Sequence, residues 1–414
     1  MQAEVIIVGA GPAGATAAKI LAEYGHKVLL LDKEKFPRDK PCGGGLPMRT
    51  VKKFPYLREK HLISSYLHGG WIYSPSLQKK VLVQKSRPLV GMVLRREFDH
   101  GLVKLAIKAG AEFKDETAVR DIVIKKDNAQ VLLQDNSVLN ASIIIGADGV
   151  FSSVAKATAL RPPHMPIAIT IFSEFCLSEK LMDKYFTPQR HGHLHFKFRG
   201  IEGYGWVFPK HHHVNVGVGE FRSRKNLYKK PQNLRKVFLL YLDYLKNQNI
   251  LPSNIQPEPI RGGALPIQPL EKTYTDRVLL CGDAAGFINP LTGEGINYAI
   301  SSGNIAAHVA HEAIIHNKMN AQFLAKYEHR WNKEFGKDIK LLLRMNKPNR
   351  LDYEKLIYLV SQDKKIAELI MDIGLGNISV NKCKAKVLQR FILLKLKQFF
   401  NLKYIHRNKV LSFK

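Results

Sequence analysis

The spacing of apolar and polar positions divides the start of the chain into short elements. Residues 5–8 are an apolar run, residues 13–24 carry apolar side chains at helical spacing, and residues 27–31 end in a second apolar run. This order predicts a strand, a helix and a strand around a glycine-rich turn. Three runs of alternating polarity between residues 117 and 145 predict an antiparallel meander.

The rest of the chain changes character twice. Residues 166–266 hold strand-like runs rich in aromatic side chains, residues 278–281 are a short apolar run typical of a buried strand, and successive helices are expected from residue 321 onward. We therefore expect an α/β protein with an α+β second lobe. Its first lobe is discontinuous, over residues 1–165 and 267–320, its β-rich second lobe spans 166–266, and a basic helical C-terminal region spans 321–414.

Composition adds a strong charge imbalance. The chain of 414 residues has 64 Lys and Arg against 35 Asp and Glu, a net charge of +29, which favours an anionic partner: nucleic acid, an anionic membrane surface or a phosphate-bearing ligand. The four cysteines form no C-x-x-C pair, so a reducing compartment and a cytoplasmic location are expected. No uncharged apolar run approaches the roughly 18 residues of a membrane-spanning helix.

The turn after the first strand carries a dinucleotide fingerprint. In the run Gly9-Ala10-Gly11-Pro12-Ala13-Gly14, Gly9 permits a tight turn, Gly11 lets a pyrophosphate approach the backbone, and Gly14 allows the helix to pack on the strand. The N-terminus of the helix around Ala13 then faces the anion. Asp32, at the end of the second strand, is placed to bind ribose hydroxyls. This arrangement predicts a Rossmann-type domain that binds FAD or NAD.

A second motif favours a flavin over a nicotinamide. The strand at 278–281 ends in Gly282-Asp283, where a carboxylate can bind ribityl hydroxyls. The run Thr292-Gly293-Glu294-Gly295-Ile296 then precedes a long apolar-periodic stretch. A helix that starts there points its N–H groups at the flavin ring and stabilises the anionic reduced form.

Two further motifs make a family resemblance specific. Gly146-Ala147-Asp148-Gly149 with Ser152, and Arg95 four residues before Asp99, resemble the flavin-dependent superfamily related to p-hydroxybenzoate hydroxylase. Within it, Lys40-Pro41-Cys42-Gly43-Gly44-Gly45 and Tyr204-Gly205-Trp206-Val207-Phe208-Pro209-Lys210 resemble the geranylgeranyl reductase family. The likeness covers roughly residues 4 to 310.

The resemblance implies an enzyme that saturates isolated carbon–carbon double bonds of a geranylgeranyl or other polyprenyl group with hydride from reduced FAD, with NAD(P)H as the expected electron donor. It implies a substrate-binding second lobe. The implied cofactor-binding residues are Gly9, Gly11, Ala13, Gly14, Asp32, Arg95, Asp148, Gly149, Asp283, Gly293, Gly295 and Ile296, and the implied catalytic residues are Cys42, Tyr204 and Trp206. No metal is expected.

The catalytic assignments leave alternatives open. An isolated alkene has no polarised carbonyl, so its reduction needs close positioning and a proton donor. Cys42 between glycines is a candidate donor, but a lone cysteine also suits a buried packing position, and Tyr204 or a water molecule could serve instead. Tyr204, Trp206 and Phe208 alternate along a strand and would form one wall of an apolar channel, or else pack in the core.

Two clusters outside these motifs have competing interpretations. His191, His193 and His195 share one face of a strand and could bind a metal, although a polar sheet face is simpler. A helix over residues 384–400 would carry basic and apolar side chains, as in a helix lying on an anionic membrane or a docking helix with a basic face. Nucleic-acid binding is less favoured because no recognition motif accompanies the charge.

Two other functions compete with the reductase. One is an FAD-dependent monooxygenase or halogenase on the same fold, and the other is a non-enzymatic basic scaffold. Halogenases of this type are expected to carry Trp-x-Trp-x-Ile-Pro, where this chain has Tyr204-Gly205-Trp206-Val207-Phe208-Pro209.

Overall fold

The computed structural model describes residues 2–221, 232–256, 259–346 and 352–394. Within these ranges the first large sheet has eight strands in the order β17-β18-β11-β1-β2-β8, and a β9–β10 hairpin pairs with β11 through β10. The strands are β1 (Gln2–Val8), β2 (Val28–Leu31), β8 (Glu112–Lys114), β9 (Val119–Ile124), β10 (Ala129–Leu133), β11 (Val138–Gly146), β17 (Tyr274–Thr275) and β18 (Val278–Leu280).

The centre of this sheet is parallel. Strand β1 lies between β2 and β11, and β18 pairs in parallel with β11. The burial of β2 on every position matches its continuous apolar run, because helices cover both faces of such a sheet. The expected βαβ unit, the antiparallel meander and the returning strand at 278–281 are all present, and the α/β class is confirmed.

The second large sheet has seven strands in the order β16-β12-β15-β14-β13-β5-β6. All neighbours are antiparallel except β13 and β5. The strands are β5 (Gly69–Tyr73), β6 (Lys80–Gln84), β12 (Ile167–Cys176), β13 (His191–Phe196), β14 (Gly203–Pro209), β15 (His213–Phe221) and β16 (Arg261–Pro266). Five of them lie within residues 166–266, whereas β5 and β6 come from a stretch in which the sequence showed no motif.

The described ranges also contain twelve labelled α-helices, a further helix over residues 380–394 and one small sheet. The helices are α1 (Pro12–Glu23), α2 (Met48–Lys53), α3 (Tyr56–Glu59), α4 (Arg95–Lys108), α5 (Ser153–Ala157), α6 (Glu179–Phe186), α7 (Leu234–Asn247), α8 (Ile296–Ile315), α9 (Ala321–Trp331), α10 (Lys337–Met345), α11 (Tyr353–Ser361) and α12 (Lys364–Gly374). The small sheet joins β3 (Gly45–Pro47), β4 (Ser65–Leu67) and β7 (Val90–Met92).

The two large sheets have separate cores. Apolar side chains of β1, β2, β11 and β18 pack against α1, α4 and α8. Helices α1 and α8 pack closely, because a Cβ atom on Gly303 would lie 2.2 Å from the Ala13 carbonyl oxygen. The second sheet packs one face on α7. The opposite face of this sheet lines the cavity described in the next subsection.

The C-terminal helices pack on both lobes: α9 contacts α8 and β17 of the first lobe, whereas α11 and α12 pack on the second sheet. Side chains of α11 and α12 form an apolar cluster with β5 and β6. Lys85 binds Asp372 of α12 through an ion pair of 2.6 Å that is largely buried. A further helix spans residues 380–394, and the remainder of the predicted 384–400 helix lies outside the described residues. No described helix is long and apolar enough to cross a membrane.

Candidate functional site: a cavity between the two sheets

One large cavity, with a volume of about 1040 Å³, runs between the first sheet and the second. One part is polar and lies at the glycine-rich loop after β1. The other part is apolar and lies between the uncovered face of the second sheet and the C-terminal helices. All fifteen residues predicted for the site line this cavity except Gly14: Gly9, Gly11, Ala13, Asp32, Cys42, Arg95, Asp148, Gly149, Tyr204, Trp206, Asp283, Gly293, Gly295 and Ile296.

The glycine-rich loop has the geometry that its sequence predicts. Gly9 has a φ of +100°, and a Cβ atom there would lie 2.4 Å from the Ala147 carbonyl oxygen. A Cβ atom on Gly14 would lie 1.8 Å from the Gly9 carbonyl oxygen, so Gly14 lets α1 pack on the turn and contributes through packing. At Gly11 the nearest atom is Arg38 Nη2 at 3.7 Å, so the wall is open on the cavity side.

Charged groups surround this open turn. Asp32 Oδ2 accepts a hydrogen bond of 2.8 Å from the Ala10 N–H and holds the turn in place. Arg38 bridges two carboxylates, with Nη2 3.7 Å from Asp32 Oδ2 and Nη1 3.2 Å from Asp99 Oδ2. Arg95 donates two hydrogen bonds, of 2.8 and 2.7 Å, to the fully buried Asp99. The Arg95 guanidinium is thereby fixed at the cavity wall.

Asp283 lies at the end of β18, where the parallel strands point toward the cavity. Burial raises its pKa, and Lys40 and Arg95 act in the opposite direction. Burial in turn lowers the pKa of Lys40, with Asp283 opposing the change. Asp283 and Lys40 both line the cavity, where their opposite charges attract each other.

The loop before α8 forms the next part of the wall. Gly293 has a φ of +72°, and Ile296 is the first residue of the helix, as expected. Glu294 Oε1 accepts a hydrogen bond of 2.7 Å from the Asn297 N–H, whereas its buried Oε2 has no hydrogen-bond partner among the described residues. Burial raises the pKa of Glu294 to about 7, with Arg49 opposing and Asp283 adding to the shift.

Asp148 has a role that the sequence motif does not reveal. Its carboxylate accepts hydrogen bonds from Ser152 Oγ at 2.5 Å and from the Ser153 N–H at 2.7 Å, at the start of α5. Burial raises its pKa, and these hydrogen bonds oppose the change. The carboxylate therefore holds the loop together, while Gly149, with a φ of +84°, lines the cavity beside it.

Aromatic side chains form one wall of the apolar part, as the alternation along β14 predicted. Tyr204, Trp206 and Phe208 all face the cavity. Trp206 lies across β15, where a Cβ atom on Gly217 would be 2.2 Å from Trp206 Cζ2. The glycine therefore leaves the space that the indole ring occupies.

Cys42 lies in the loop that crosses this aromatic wall. It is half-buried, and its Sγ accepts a hydrogen bond of 3.3 Å from the Gly44 N–H. A Cβ atom on Gly43 would lie 2.9 Å from Phe208 Cδ2, so the loop rests directly on the aromatic side chains. Asn215 Nδ2 donates a hydrogen bond of 3.4 Å to the Cys42 carbonyl oxygen. The loop thus joins the polar and apolar parts of the cavity.

The C-terminal helices form the wall of the apolar part that faces the second sheet. Tyr353 of α11 stacks on Phe196 with a centroid distance of 4.6 Å. Lys384, Val387, Leu388 and Phe391 of the 380–394 helix also line the cavity. The basic C-terminal region therefore contributes to the same cavity as the dinucleotide motif.

The histidines of β13 lie on the opposite face of the sheet. His193 Nδ1 is 3.2 Å from the Tyr73 hydroxyl, and His195 Nδ1 is 2.8 Å from the Tyr241 hydroxyl of α7. Burial lowers the pKa of His193 to about 3, with His191 and Lys80 adding to the shift. Among the described residues no group of three or more His, Cys, Asp and Glu side chains could hold a metal ion.

The polar part of the cavity fits FAD. The open wall at Gly11, the cations Arg38 and Arg95, and the N-terminus of α1 suit a pyrophosphate, and Asp283 offers a carboxylate where the polar part continues toward the aromatic wall. The sequence assigned no role to Arg38, Glu174 and Asn215, and no motif marks these three residues. Lys40 and Lys210 stand in the motifs that carry the family resemblance, but no role was assigned to them. Helical apolar spacing in 353–374 could have revealed the wall that the C-terminal helices form.

Comparison with known proteins agrees with this geometry. Residues 2–333 match the protein family described as FAD binding domain. A digeranylgeranylglycerophospholipid reductase of Methanocaldococcus jannaschii is 31% identical over 401 residues, which cover 94% of this chain and 95% of that protein. The enzyme described as digeranylgeranylglycerophospholipid reductase 1 of Methanopyrus kandleri is 31% identical over 385 residues, 91% of this chain and 98% of that protein.

Solved structures show the same fold. A geranylgeranyl bacteriochlorophyll reductase-like protein from Thermoplasma acidophilum has a TM-score of 0.76 at 26% identity, covering 93% of this chain and 99% of that chain. A flavin-dependent brominase has a TM-score of 0.71 at 18% identity, covering 97% of this chain and all of that one (100%), which shows a shared fold and no more. The relatives with high coverage and the FAD-binding match together assign the chain: it belongs to the geranylgeranyl reductase family of FAD-dependent oxidoreductases.

Proposed function

We propose that this protein reduces isolated carbon–carbon double bonds in a geranylgeranyl or other polyprenyl group. The observation that carries the proposal is the single cavity, in which the glycine-rich turn at Gly11 and the aromatic wall at Trp206 are parts of one continuous space. The curated relatives are named for reduction of a digeranylgeranyl glycerophospholipid, which is a lipid of this class.

The residues of the cavity support this chemistry. Reduced FAD, when bound, supplies the hydride. The apolar walls exclude water and hold a prenyl chain close to the cofactor, which an unpolarised alkene requires. Cys42 lies where the polar and apolar parts meet, and we assign it the proton that the second alkene carbon receives. The side chains of Trp206 and Tyr204 position the prenyl chain of the substrate.

We assign cofactor binding to the residues that line the polar part, together with Gly14 behind them. The α1 N-terminus and Gly11 would hold the pyrophosphate, Asp32 the ribose, and Asp283 the ribityl chain. NAD(P)H is the proposed electron donor, and its binding would be transient because the sequence carries no second glycine fingerprint. The proposed domains follow residues 1–165 with 267–320, 166–266, and 321–414, with β5 and β6 completing the second sheet.

The rim of the cavity supports an amphiphilic substrate and a peripheral membrane location on the cytoplasmic side. On the 380–394 helix, Leu388, Ile392 and Leu393 are 62%, 51% and 45% exposed. Lys382, Lys384 and Lys386 of the same helix are also exposed, and Lys384 lines the cavity. Exposed apolar side chains beside cations suit an anionic lipid surface, from which a prenyl chain can enter the cavity.

The decisive experiment uses purified protein with bound FAD under anaerobic conditions. The flavin is reduced with dithionite, excess reductant is removed, and a digeranylgeranyl glycerophospholipid is added in detergent micelles. We expect the flavin absorbance to return as the lipid gains two hydrogen atoms per double bond, detected by mass spectrometry. Reoxidation that requires oxygen and inserts oxygen or halogen into an organic substrate would favour the monooxygenase or halogenase instead.

A further inference from the structure

A buried ion pair lies beneath the Cys42 loop. Glu174 of β12 and Asn215 of β15 are directly opposite each other in the sheet, and Lys210 follows β14 at the same end. Lys210 Nζ is 2.8 Å from Glu174 Oε1, and only 1% of Lys210 is exposed. Glu174 and Lys210 do not line the cavity themselves. They lie behind the residues that form its wall.

The hydrogen bonds of this group have fixed directions. Asn215 Nδ2 donates to Glu174 Oε1 at 2.7 Å and to the Cys42 carbonyl oxygen at 3.4 Å. Asn215 Oδ1 accepts the indole N–H of Trp206 at 2.6 Å. Because Trp206 can only donate and the Cys42 carbonyl can only accept, the amide of Asn215 has one orientation. Asn215 therefore links the Cys42 backbone to the Trp206 ring.

Lys210 also lies beside the loop with its aliphatic stem. A Cβ atom added to Gly44, which has a φ of +82°, would lie 3.4 Å from Lys210 Cε. The charged end is then held away from the loop by Glu174. A buried ion pair is often replaceable by apolar residues without loss of stability, so stability alone does not explain its presence here.

We propose that Glu174, Asn215 and Lys210 are positioning residues, which fix the Cys42 loop relative to the Trp206 ring. The proposal rests on the proposed function, because it gives Cys42 and Trp206 their importance. Glu174 orients the Asn215 amide, Asn215 holds the Cys42 carbonyl and the indole at fixed places, and Lys210 supports the loop at Gly44. None of the three is assigned contact with substrate or cofactor.

The test compares two variants with a matched control in the full-length, FAD-bound protein. The double variant Glu174→Leu/Lys210→Met removes the ion pair and the Glu174 acceptor of the Asn215 amide without leaving a buried charge unpaired, so it is expected to fold. Glu174→Gln/Lys210→Met also leaves no unpaired charge, but it keeps an acceptor oxygen for the Asn215 amide. Asp183→Asn breaks another ion pair, with the buried Arg190, that does not line the cavity. Each protein is measured for the alkylation rate of Cys42, by peptide mass spectrometry, and for kcat and KM in prenyl reduction.

We expect Glu174→Leu/Lys210→Met to change the Cys42 alkylation rate about tenfold and to lower kcat about tenfold, with bound FAD retained and a smaller change in KM. Glu174→Gln/Lys210→Met should largely restore both values, and Asp183→Asn should match the unmodified protein. The proposal is overturned if Glu174→Leu/Lys210→Met stays within about twofold in alkylation and kcat. It is equally overturned if Glu174→Gln/Lys210→Met is as impaired as Glu174→Leu/Lys210→Met, since the hydrogen bond from Asn215 to residue 174 would then have no part in placing the loop.

The alkylation measurement keeps this inference separate from the proposed function. If the unmodified protein reduces no prenyl lipid, the proposed function fails. The rate at which Cys42 reacts in the variants still decides whether the network positions the loop.

Discussion

The Tyr204 hydroxyl donates a hydrogen bond to the Thr292 carbonyl oxygen and thereby joins the second sheet to the loop before α8. Burial raises the pKa of Tyr204, and Cys42 and Tyr353 add to the shift. The hydroxyl proton of Tyr204 is therefore used in a hydrogen bond, and it is released less readily than that of an ordinary tyrosine. Of the two candidate proton donors we favour Cys42, because its Sγ serves as an acceptor for the Gly44 N–H and the Arg95 guanidinium, which leaves its own proton unused.

This difference predicts unequal effects for Cys42→Ser and Tyr204→Phe. With FAD retained in both, Cys42→Ser should slow prenyl reduction by about a hundredfold, the usual contribution of a general acid. Tyr204→Phe keeps the ring on the cavity wall and loses one hydrogen bond, so a loss of about tenfold or less is expected. Anaerobic flavin reoxidation by substrate measures both rates. Unchanged turnover in Cys42→Ser would return Cys42 to a packing role.

Much of the fold was predictable because its signals are local. The glycine turn between β1 and α1, the meander of β9 to β11, and the start of α8 each follow from a contiguous pattern. The place of β5 and β6 was not predictable, since parallel pairing of β5 with β13 joins residues more than a hundred positions apart in the chain. The 353–374 helices likewise show a pattern that predicts helices, but not the surface on which they pack.

The site divides in the same way. Gly9, Gly11 and Asp32 have positions that the fingerprint itself specifies. Glu174 carries no motif, and Lys210 ends a motif that assigned it no role. Their importance comes from the sheet register that places Glu174 beside Asn215, and from the ion pair between Lys210 and Glu174. For Asp148 the motif identified the residue, but the structure shows its carboxylate binding the start of α5.

Gly11→Val should abolish FAD binding while leaving the fold intact. Gly11 has an ordinary φ of −72°, and an added Cβ atom would meet only Arg38 Nη2, at 3.7 Å. The larger side chain would instead fill the space of the pyrophosphate. We expect a colourless protein with an unchanged far-ultraviolet circular dichroism spectrum. Gly262→Ala, with its nearest atom also at 3.7 Å, is the control and should stay yellow; a yellow Gly11→Val protein would contradict the cofactor assignment.

Glu294→Gln should stabilise the protein at neutral and alkaline pH. Because burial raises the Glu294 pKa from its ordinary 4.5 to about 7, the native state favours the protonated carboxyl group. The stability from this group is fully present below pH 4.5 and is lost as the pH rises through about 7. The Gln variant cannot ionise and avoids that loss, about 3 kcal/mol.

The measurement is thermal unfolding of both proteins between pH 4 and pH 9. The two melting temperatures should converge at the acidic end and separate by a few degrees above neutral pH. Glu334→Gln, at an exposed carboxylate, serves as the control and should show no such separation. A constant difference across the range would mean that Glu294 does not titrate with the shifted pKa.

The exposed face of the 380–394 helix predicts salt-dependent binding to anionic vesicles. Removing residues 384–414 would test this poorly, because Lys384, Val387, Leu388 and Phe391 line the cavity and Leu394 is buried. The double variant Ile392→Ser/Leu393→Ser removes two apolar side chains that are 51% and 45% exposed and do not line the cavity. If both enter the interface, their loss should weaken binding by at least about tenfold.

The matched control is Leu239→Ser/Leu240→Ser, which removes two exposed leucines from α7, where they are 48% and 39% exposed. Both pairs reduce surface hydrophobicity by a similar amount, so only a specific interface separates them. Sedimentation with anionic and neutral vesicles at low and high salt gives the affinities. Binding of the unmodified protein should fall as salt screens the lysines of the helix. Vesicle binding that does not depend on salt, or equal losses of binding in the two double variants, would show that the 380–394 helix has no lipid-binding role.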